Sequence, residues 1–484
     1  MQTKISLLYK HSDGSFAQSA SAREAVYNLN IDRMVSCACD NKRTRDYFLS
    51  VLCREGANKE NALYRAEILR DFIANPTLLS EMAQLFKGYD NLMEETDEVL
   101  KEIFRYGVPA SAGGMLDCAY EELYVNAHYA RNVIAYFSEI YDLFSRFDVS
   151  SEGLLAIKTF CNAMSESKCI TELESAAERF RSETHESYRF TIDAKIDEAM
   201  RICSCSVFDV QDVADKEKRG LRSIFKKKTE LSVDIGSSAT DNCENALSIS
   251  IGELSGIFSD IANGIYAVFK GIGEELLFYT VALSIEKMLK KNGISYCFPE
   301  VLDADADVLD AKGLTDMLLI SEGKNAKSIV TNSISLEKSI IARGDNNCGK
   351  TSFLRAVGSS VILAQNGLFV PAEYMKTSVR GALFTHFSSA EKDFSDSDAA
   401  GRFEGEVKDV AAIVNNLRPY SLILLNETFQ TTAYREGAQG MKDILDVLTH
   451  LKCKYVFVTH MKAMFSLFTD DEVTVLTARD YVLS

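Results

Sequence analysis

The sequence predicts a multidomain chain in which a long α-helical region is followed by an α/β region with a mostly parallel sheet. Three observations carry this prediction. The 484 residues include only 5 prolines, with none between Pro109 and Pro299, so long unbroken helices are permitted there. From Tyr296 onward, short apolar runs alternate with helix-like stretches, the pattern of strands joined by crossover helices. Between one such run and one such helix lies Gly344-Asp345-Asn346-Asn347-Cys348-Gly349-Lys350-Thr351, which spells G-x-x-x-x-G-K-T.

Residues 1–204 read as helical. Tyr64, Ile68, Leu69, Phe72 and Ile73 recur at i, i+4, i+5, i+8 and i+9, one apolar face of a helix. Asn75-Pro76 ends that stripe, and Leu79, Met82, Leu85 and Phe86 begin the next. Both stripes read as core faces. Residues 205–250 change character and read as an insertion: they hold a basic run, then Gly236-Ser237-Ser238 and Asp241-Asn242, which read as loop or turn. Residues 251–295 return to helix and close on Lys290-Lys291-Asn292-Gly293, a C-terminal signal. Residues 296–484 form the α/β region.

Composition is that of a globular protein, 46% hydrophobic and 25% charged. The net charge of −17, from 53 basic and 70 acidic residues, argues against a surface that grips nucleic acid all over. A local patch is still available. Lys216, Lys218, Arg219, Arg222, Lys226, Lys227 and Lys228 are opposed within the run only by Glu217. Such a run either touches a phosphate backbone or is a solvated helix end. No apolar stretch reaches 18 residues, and Met-Gln-Thr-Lys-Ile-Ser lacks the apolar segment of a secretion signal, so a cytoplasmic protein without a membrane span is expected. The 12 cysteines include no C-x-x-C pair, which favours free thiols over a zinc site.

The glycine run carries the chemistry. Its glycines let successive N–H groups of Gly344, Asp345, Asn346, Asn347, Cys348 and Gly349 face one concavity, where they and the N-terminus of the following helix suit the phosphates of ATP. Lys350 adds a cation, Thr351 a hydroxyl for Mg²⁺, and Ser352 a second hydroxyl nearby. The flanking context is right: Ser339-Ile340-Ile341-Ala342-Arg343 before it, and Phe353, Leu354, Val357 and Val361 at helical spacing after it. A second strand, Ser421-Leu422-Ile423-Leu424-Leu425, ends in Asn426-Glu427. Glu427 is placed to polarise an attacking water, and Asn426 sits where a Mg²⁺ ligand is needed. A third strand, Tyr455-Val456-Phe457-Val458, ends in Thr459-His460, where the histidine either senses the γ-phosphate or is an ordinary strand-end side chain.

These residues resemble the ATPase domain of MutS proteins. The helix Phe353–Gly358 runs on to Val370-Pro371-Ala372, as the family's helix runs to its V-P-A turn. The interval from Glu406 to Glu427 matches the spacing from the family's signature helix to its Walker B strand, with Phe403, Asn416, Tyr420 and Ser421 in similar places. Thr459-His460 is similar to the T-H switch, and Glu436-Gly437 to the D-loop. The resemblance is strong from about residue 338 to 460. It implies an α-helical lever and core domain followed by an α/β P-loop NTPase domain of ABC-ATPase type, acting as a homodimer on DNA. It also implies that residues 205–250 are a clamp whose basic run holds duplex or branched DNA by its backbone.

The sequence departs from the family in places. The Walker B aspartate is Asn426, which lacks charge. The signature serine, which one subunit offers to the ATP of the other, aligns with Gly401. Arg402 beside it is either an arginine finger or a surface arginine. No counterpart of the mismatch-reading and connector domains is expected in this sequence, so direct mismatch reading is not expected, and the C-terminal dimerisation helices are either missing or cut off by truncation. No aromatic lies between Phe298 and Phe353 to stack an adenine, which leaves Ile329, Val330 or a residue outside that interval. The expected function is therefore an ATP-switched DNA clamp in repair or recombination. The alternatives are an ATPase that moves a protein partner, or an ATP-binding protein with weak hydrolysis.

Overall fold

The computed structural model describes residues 4–11, 16–105, 112–180, 188–196, 202–212, 237–321, 324, 326–345, 347–388, 399–429, 434–479 and 482–483. In chain order the elements are α1 (Ala20–Asn28), α2 (Ile31–Ala38), α3 (Lys42–Leu52), α4 (Lys59–Ala74), α5 (Leu78–Ile103), α6 (Ala112–Ser145), α7 (Glu152–Ser165), α8 (Lys168–Ala177), β1 (Tyr188–Ile196), β2 (Ile202–Asp212), α9 (Ser237–Phe269), α10 (Ile272–Lys291), β3 (Glu300–Leu302), β4 (Leu309–Leu314), α11 (Met317–Ser321), β5 (Asn332–Ser335), β6 (Ser339–Arg343), α12 (Lys350–Gln365), β7 (Tyr374–Ser378), β8 (Leu383–Phe387), α13 (Ala399–Asn415), β9 (Leu422–Asn426), α14 (Tyr434–His450), β10 (Lys454–Val458), β11 (Val473–Arg479) and β12 (Val482–Leu483). They fall into two compact units. One comprises residues 1–5, 80–149 and 154–273, and the other residues 6–79, 150–153 and 274–484.

The first unit is helical. Its α6 and α9 have 34 and 33 residues, each about 50 Å long at 1.5 Å per residue. An amide from α6 ties the pair: Asn126 Nδ2 donates to Ser255 Oγ at 2.9 Å. The core is aromatic. Tyr89 stacks on Tyr266 at 5.1 Å between centroids, while Phe86 and Phe137 meet Phe269 edge-on. Burial of such rings, at about 1.5–3 kcal/mol each, is the main force holding these helices together.

Three expectations fail in this unit. The helical reading of residues 1–204 does not hold at its end, where β1 and β2 form an antiparallel ladder from Tyr188↔Asp212 to Ile196↔Ile202. The run Tyr-Arg-Phe-Thr-Ile-Asp-Ala-Lys-Ile alternates with period two, a strand signal hidden among helix-favouring neighbours. Nor do Ser237-Ser238 and Asp241-Asn242 close a turn, because α9 is already helical from Ser237, while Gly236 lies outside the described residues. Its low-propensity start is outweighed by the face further along, where Ile251, Phe258, Ala262 and Ile265 are buried. The helix expected over 251–295 is also broken. Gly271 has φ +90° between α9 and α10, and its N–H donates to Asp90 Oδ1 at 3.1 Å. The basic run Lys216–Lys228 lies outside the described residues.

The second unit is α/β. A six-stranded sheet has the order β12-β11-β6-β10-β9-β8, and a four-stranded sheet has the order β3-β7-β4-β5. In the larger sheet β11, β6, β10, β9 and β8 are parallel, and β12 is antiparallel at the edge. The central strands read Ile-Ile-Ala, Tyr-Val-Phe-Val and Leu-Ile-Leu-Leu, all buried, because helices cover both faces. On one face α12 meets Leu424. A Cβ on Gly358 would stand 2.5 Å from Leu424 Cδ1, so the helix needs glycine there. On the other face Ile423 and Leu425 pack with Val410 and Ile413 of α13 and with Met441, Leu445 and Leu448 of α14.

An N-terminal strap closes this unit. Glu275 of α10 accepts from Ser6 Oγ at 2.8 Å and from the Leu7 amide at 2.5 Å. The Ser6, Leu7 and Leu8 carbonyls accept from Tyr64 Oη, Tyr279 Oη and Arg65 Nε. Arg65 also donates through Nη1 to Asn366 Oδ1, at the end of α12. A buried irregular segment thus has its backbone groups satisfied by side chains rather than by a ladder.

Candidate nucleotide site

The site lies at the carboxyl ends of three adjacent parallel strands, where ligands of such sheets collect. Val458 of β10 is paired with Ala342 of β6 on one side and with Asn426 of β9 on the other. The segments leaving these strands, Gly344–Gly349, Glu427–Phe429 and Thr459-His460, therefore meet.

The glycine loop is built from its own backbone. Gly349 has φ +92° and Asn347 φ +60°, both left-handed, which turns the chain sharply into α12. A Cβ on Gly344 would lie 2.7 Å from Cys348 Sγ and 2.8 Å from Ala478 Cβ, so no larger residue fits. Lys350, 5% exposed, folds back: its ammonium donates to the carbonyls of Gly344 at 2.9 Å and Asp345 at 2.7 Å. Among the described residues no carboxylate pairs with this buried cation. Cys348 Sγ donates to the Asp345 carbonyl at 2.8 Å. Asn346 is outside the described residues.

The structure brings the predicted partners together. Thr351 Oγ1 donates to Asn426 Oδ1 at 3.3 Å. Glu427 Oε1 is 2.8 Å from His460 Nε2, and His460 Nε2 is 3.5 Å from Lys350 Nζ. Burial first, and then the Lys350 ammonium, push the His460 imidazole below its ordinary value, against the pull of Asp345 and the Gly344 backbone. The ring is therefore neutral near pH 7, and its Nε2–H donates to the Glu427 carboxylate. With that nitrogen protonated, the Lys350 approach is a close contact rather than a hydrogen bond.

The loop after β9 is held by other elements. Glu427 and Phe429 are non-glycine residues at φ +58° and +63°. Such backbone costs on the order of 1–3 kcal/mol per residue and persists only where its surroundings enforce it. They do so from three sides. The Glu427 amide donates to Val458 O at 2.9 Å. Thr428, fully buried, bonds His386 Nδ1 of β8 at 2.9 Å. The Phe429 amide donates to Glu406 Oε2 of α13 at 2.9 Å, and Glu406 Oε1 accepts from Ser388 Oγ at 2.7 Å. His386 and Ser388 gave no sequence signal. His386 lies 42 residues from Thr428 and Ser388 lies 18 from Glu406, and only the fold joins them.

Other expectations land apart. Gly401 and Arg402 lie in the first turn of α13. Ile329 is buried and Val330 is 43% exposed, and neither is bonded to the loop. A cavity of about 590 Å³ between α1, α13 and the end of β7 includes no residue of the glycine loop. Among the described residues no cluster of three His, Cys, Asp or Glu side chains is placed to hold a metal, and the nine cysteines whose side chains are described are free thiols. None of their helices is long and apolar enough to cross a membrane.

Comparison with known proteins matches this geometry. The family model for MutS domain V covers residues 340–479, from the start of β6 to the end of β11. Residues 340–479 thus belong with MutS domain V. Among its relatives, the DNA mismatch repair protein MSH3 of Pyricularia oryzae is 34% identical over 125 residues, 26% of this chain and 11% of the relative. The DNA mismatch repair proteins MutS of Fervidobacterium nodosum and Microcystis aeruginosa are 29% and 30% identical over 218 and 232 residues, 41% and 45% of this chain. The chain spans about a quarter of the length of those two MutS proteins.

Proposed function

We propose that this MutS-family chain binds ATP and Mg²⁺ at Gly344–Thr351, hydrolyses ATP with Glu427, and uses the cycle to switch a grip on DNA. The observation that carries the reading is the convergence of Lys350, Thr351, Asn426, Glu427 and His460 at the ends of three adjacent strands. The residues fit the ligand. Lys350 is a buried cation that donates to two neutral carbonyls and, among the described residues, meets no carboxylate, a group that gains from an anion. Thr351 and Asn426 present two hard oxygens side by side, the donor type that Mg²⁺ takes. Bound Mg²⁺ supplies charge neutralisation on the phosphates.

Within this reading, the Gly344–Gly349 backbone and Lys350 hold the phosphates. Glu427 orients a water, and neutral His460 fixes the carboxylate through its Nε2–H. The fold is then a P-loop ATPase of ABC type, active as a homodimer, with Gly401 or Arg402 of one subunit facing the ATP of the other. Residues 205–250 serve as the clamp, with Lys216–Lys228 on the DNA backbone. Relatives named as DNA mismatch repair proteins support a repair role. The net charge of −17 favours a second reading, an ATPase that moves a protein partner.

DNA binding over a salt series, with and without ATP, separates the two. A clamp loses affinity steeply with salt and responds to nucleotide. Absence of binding at low salt would remove the DNA reading and leave the protein-moving one. Asn426→Asp restores a charged ligand and is expected to tighten Mg²⁺ dependence and raise turnover. An unchanged rate would show that the amide does not limit hydrolysis.

A further inference from the structure

We propose that Glu406 is a positioning residue for Glu427, making α13 and the loop after β9 move as one body. The inference rests on the ATPase reading above, which gives Glu427 its task. Glu406 is 9% exposed and accepts at both oxygens, from Ser388 Oγ at 2.7 Å and from the Phe429 amide at 2.9 Å. The second contact lands two residues beyond Glu427, on a left-handed, buried phenylalanine. Glu427 is itself left-handed. A backbone in that region relaxes toward ordinary angles when a restraint is removed, and the carboxylate of Glu427 turns with it. Among the described contacts, Val458 bonds the Glu427 amide and His386 bonds Thr428, while Glu406 bonds the Phe429 amide.

The position of Glu406 on α13 gives this bond its direction. Gly401 and Arg402 stand four to five residues upstream on the same helix, about 6–7.5 Å along its axis. A helix turn is rigid over that distance. Any displacement of the start of α13 therefore reaches the Phe429 amide through one side chain, and Glu427 through two peptide units. The carboxylate thereby carries the state of α13 to the hydrolytic group.

The test uses two variants of the full chain. Glu406→Met keeps the size and removes the acceptor, leaving the Phe429 N–H unpaired. Glu406→Gln can still accept that N–H through its oxygen and donate its amide to Ser388 Oγ, so it is the conservative rescue. Single-turnover ATP cleavage at saturating nucleotide should fall at least about tenfold in the Met variant and largely recover in the Gln variant. ATP affinity should stay within about twofold in both. Amide hydrogen exchange should quicken at 427–429 in the Met variant and nowhere else.

A Met variant with unchanged cleavage and exchange overturns the inference. So does one that loses affinity, cleavage and global protection together, since that is a purely structural role. If the unaltered chain cleaves no ATP, the ATPase reading fails by itself. The exchange data then decide Glu406: protection lost only at 427–429 upholds its hold on the loop, and unchanged protection removes it.

Discussion

The two loops that meet at the site are made in opposite ways. The loop after β6 is shaped by its own residues: glycines where a Cβ would clash or φ is positive, and a lysine bonded to carbonyls five and six residues back. The loop after β9 has no glycine at Glu427 or Phe429, though both are left-handed, and it is fixed by groups from β8, β10 and α13. The first is preformed and should tolerate changes elsewhere. The second is poised, and its geometry reports on its neighbours. Under the proposed function, binding falls to the autonomous loop and chemistry to the dependent one.

The largest expected effect tests the dependent loop. Glu427→Gln should keep ATP affinity while turnover falls roughly 10²–10⁴-fold, the usual range for losing a general base. Equal losses in binding and turnover would contradict the division of labour. Next comes the autonomous loop. Lys350→Met should weaken ATP binding by roughly 10–100-fold, as measured by titration with a fluorescent nucleotide, because it removes charge-assisted hydrogen bonds to phosphate. Thermal stability should change little, since Lys350 has no ion pair among the described residues. A large drop in Tm would mean that its carbonyl bonds hold the loop together.

The smallest effect concerns pH. Burial pushes His386 below its ordinary value of 6.5, against the pull of Glu406 and Asp409. The folded state keeps the ring neutral where the unfolded chain would protonate it. Its contribution to stability is therefore present above pH 6.5 and is lost as pH falls through the lower folded value. Melting curves from pH 7.5 to 5 should show a shallower decline for His386→Gln, which keeps a polar partner for Thr428 and does not titrate. Parallel declines would mean that other groups dominate.

What was legible in the sequence follows the same divide. Strands β6, β9 and β10 and helix α12 were readable because their apolar runs are continuous or helically spaced, and local glycines mark the turn. Lys350, Thr351, Asn426, Glu427 and His460 were readable because each stands at a strand end or a fixed offset. Their mutual contacts follow once the strands are parallel neighbours. His386 and Ser388 were not readable, because their roles depend on partners 42 and 18 residues away in other elements. The same holds for β1 and β2, whose alternation sits inside a helix-rich stretch, and for α9, whose polar start is helical only because of what it buries further on.

The strap at Ser6–Leu8 sets an order of events during synthesis. Its partner Glu275 lies 269 residues later, and residues 80–149 and 154–273 of the other unit are translated in between. At about 5–20 residues per second, the strap waits roughly 15–50 seconds for its acceptor. During that interval Arg65 has neither Asn366 nor the finished strap around it, and the faces of α1 and α4 stay uncovered. The α/β unit is therefore begun first and finished last, while the helical unit emerges as one nearly continuous piece. Conditions that slow translation should expose the early segment longest, making residues 6–79 the first place for a chaperone to bind or a protease to cut.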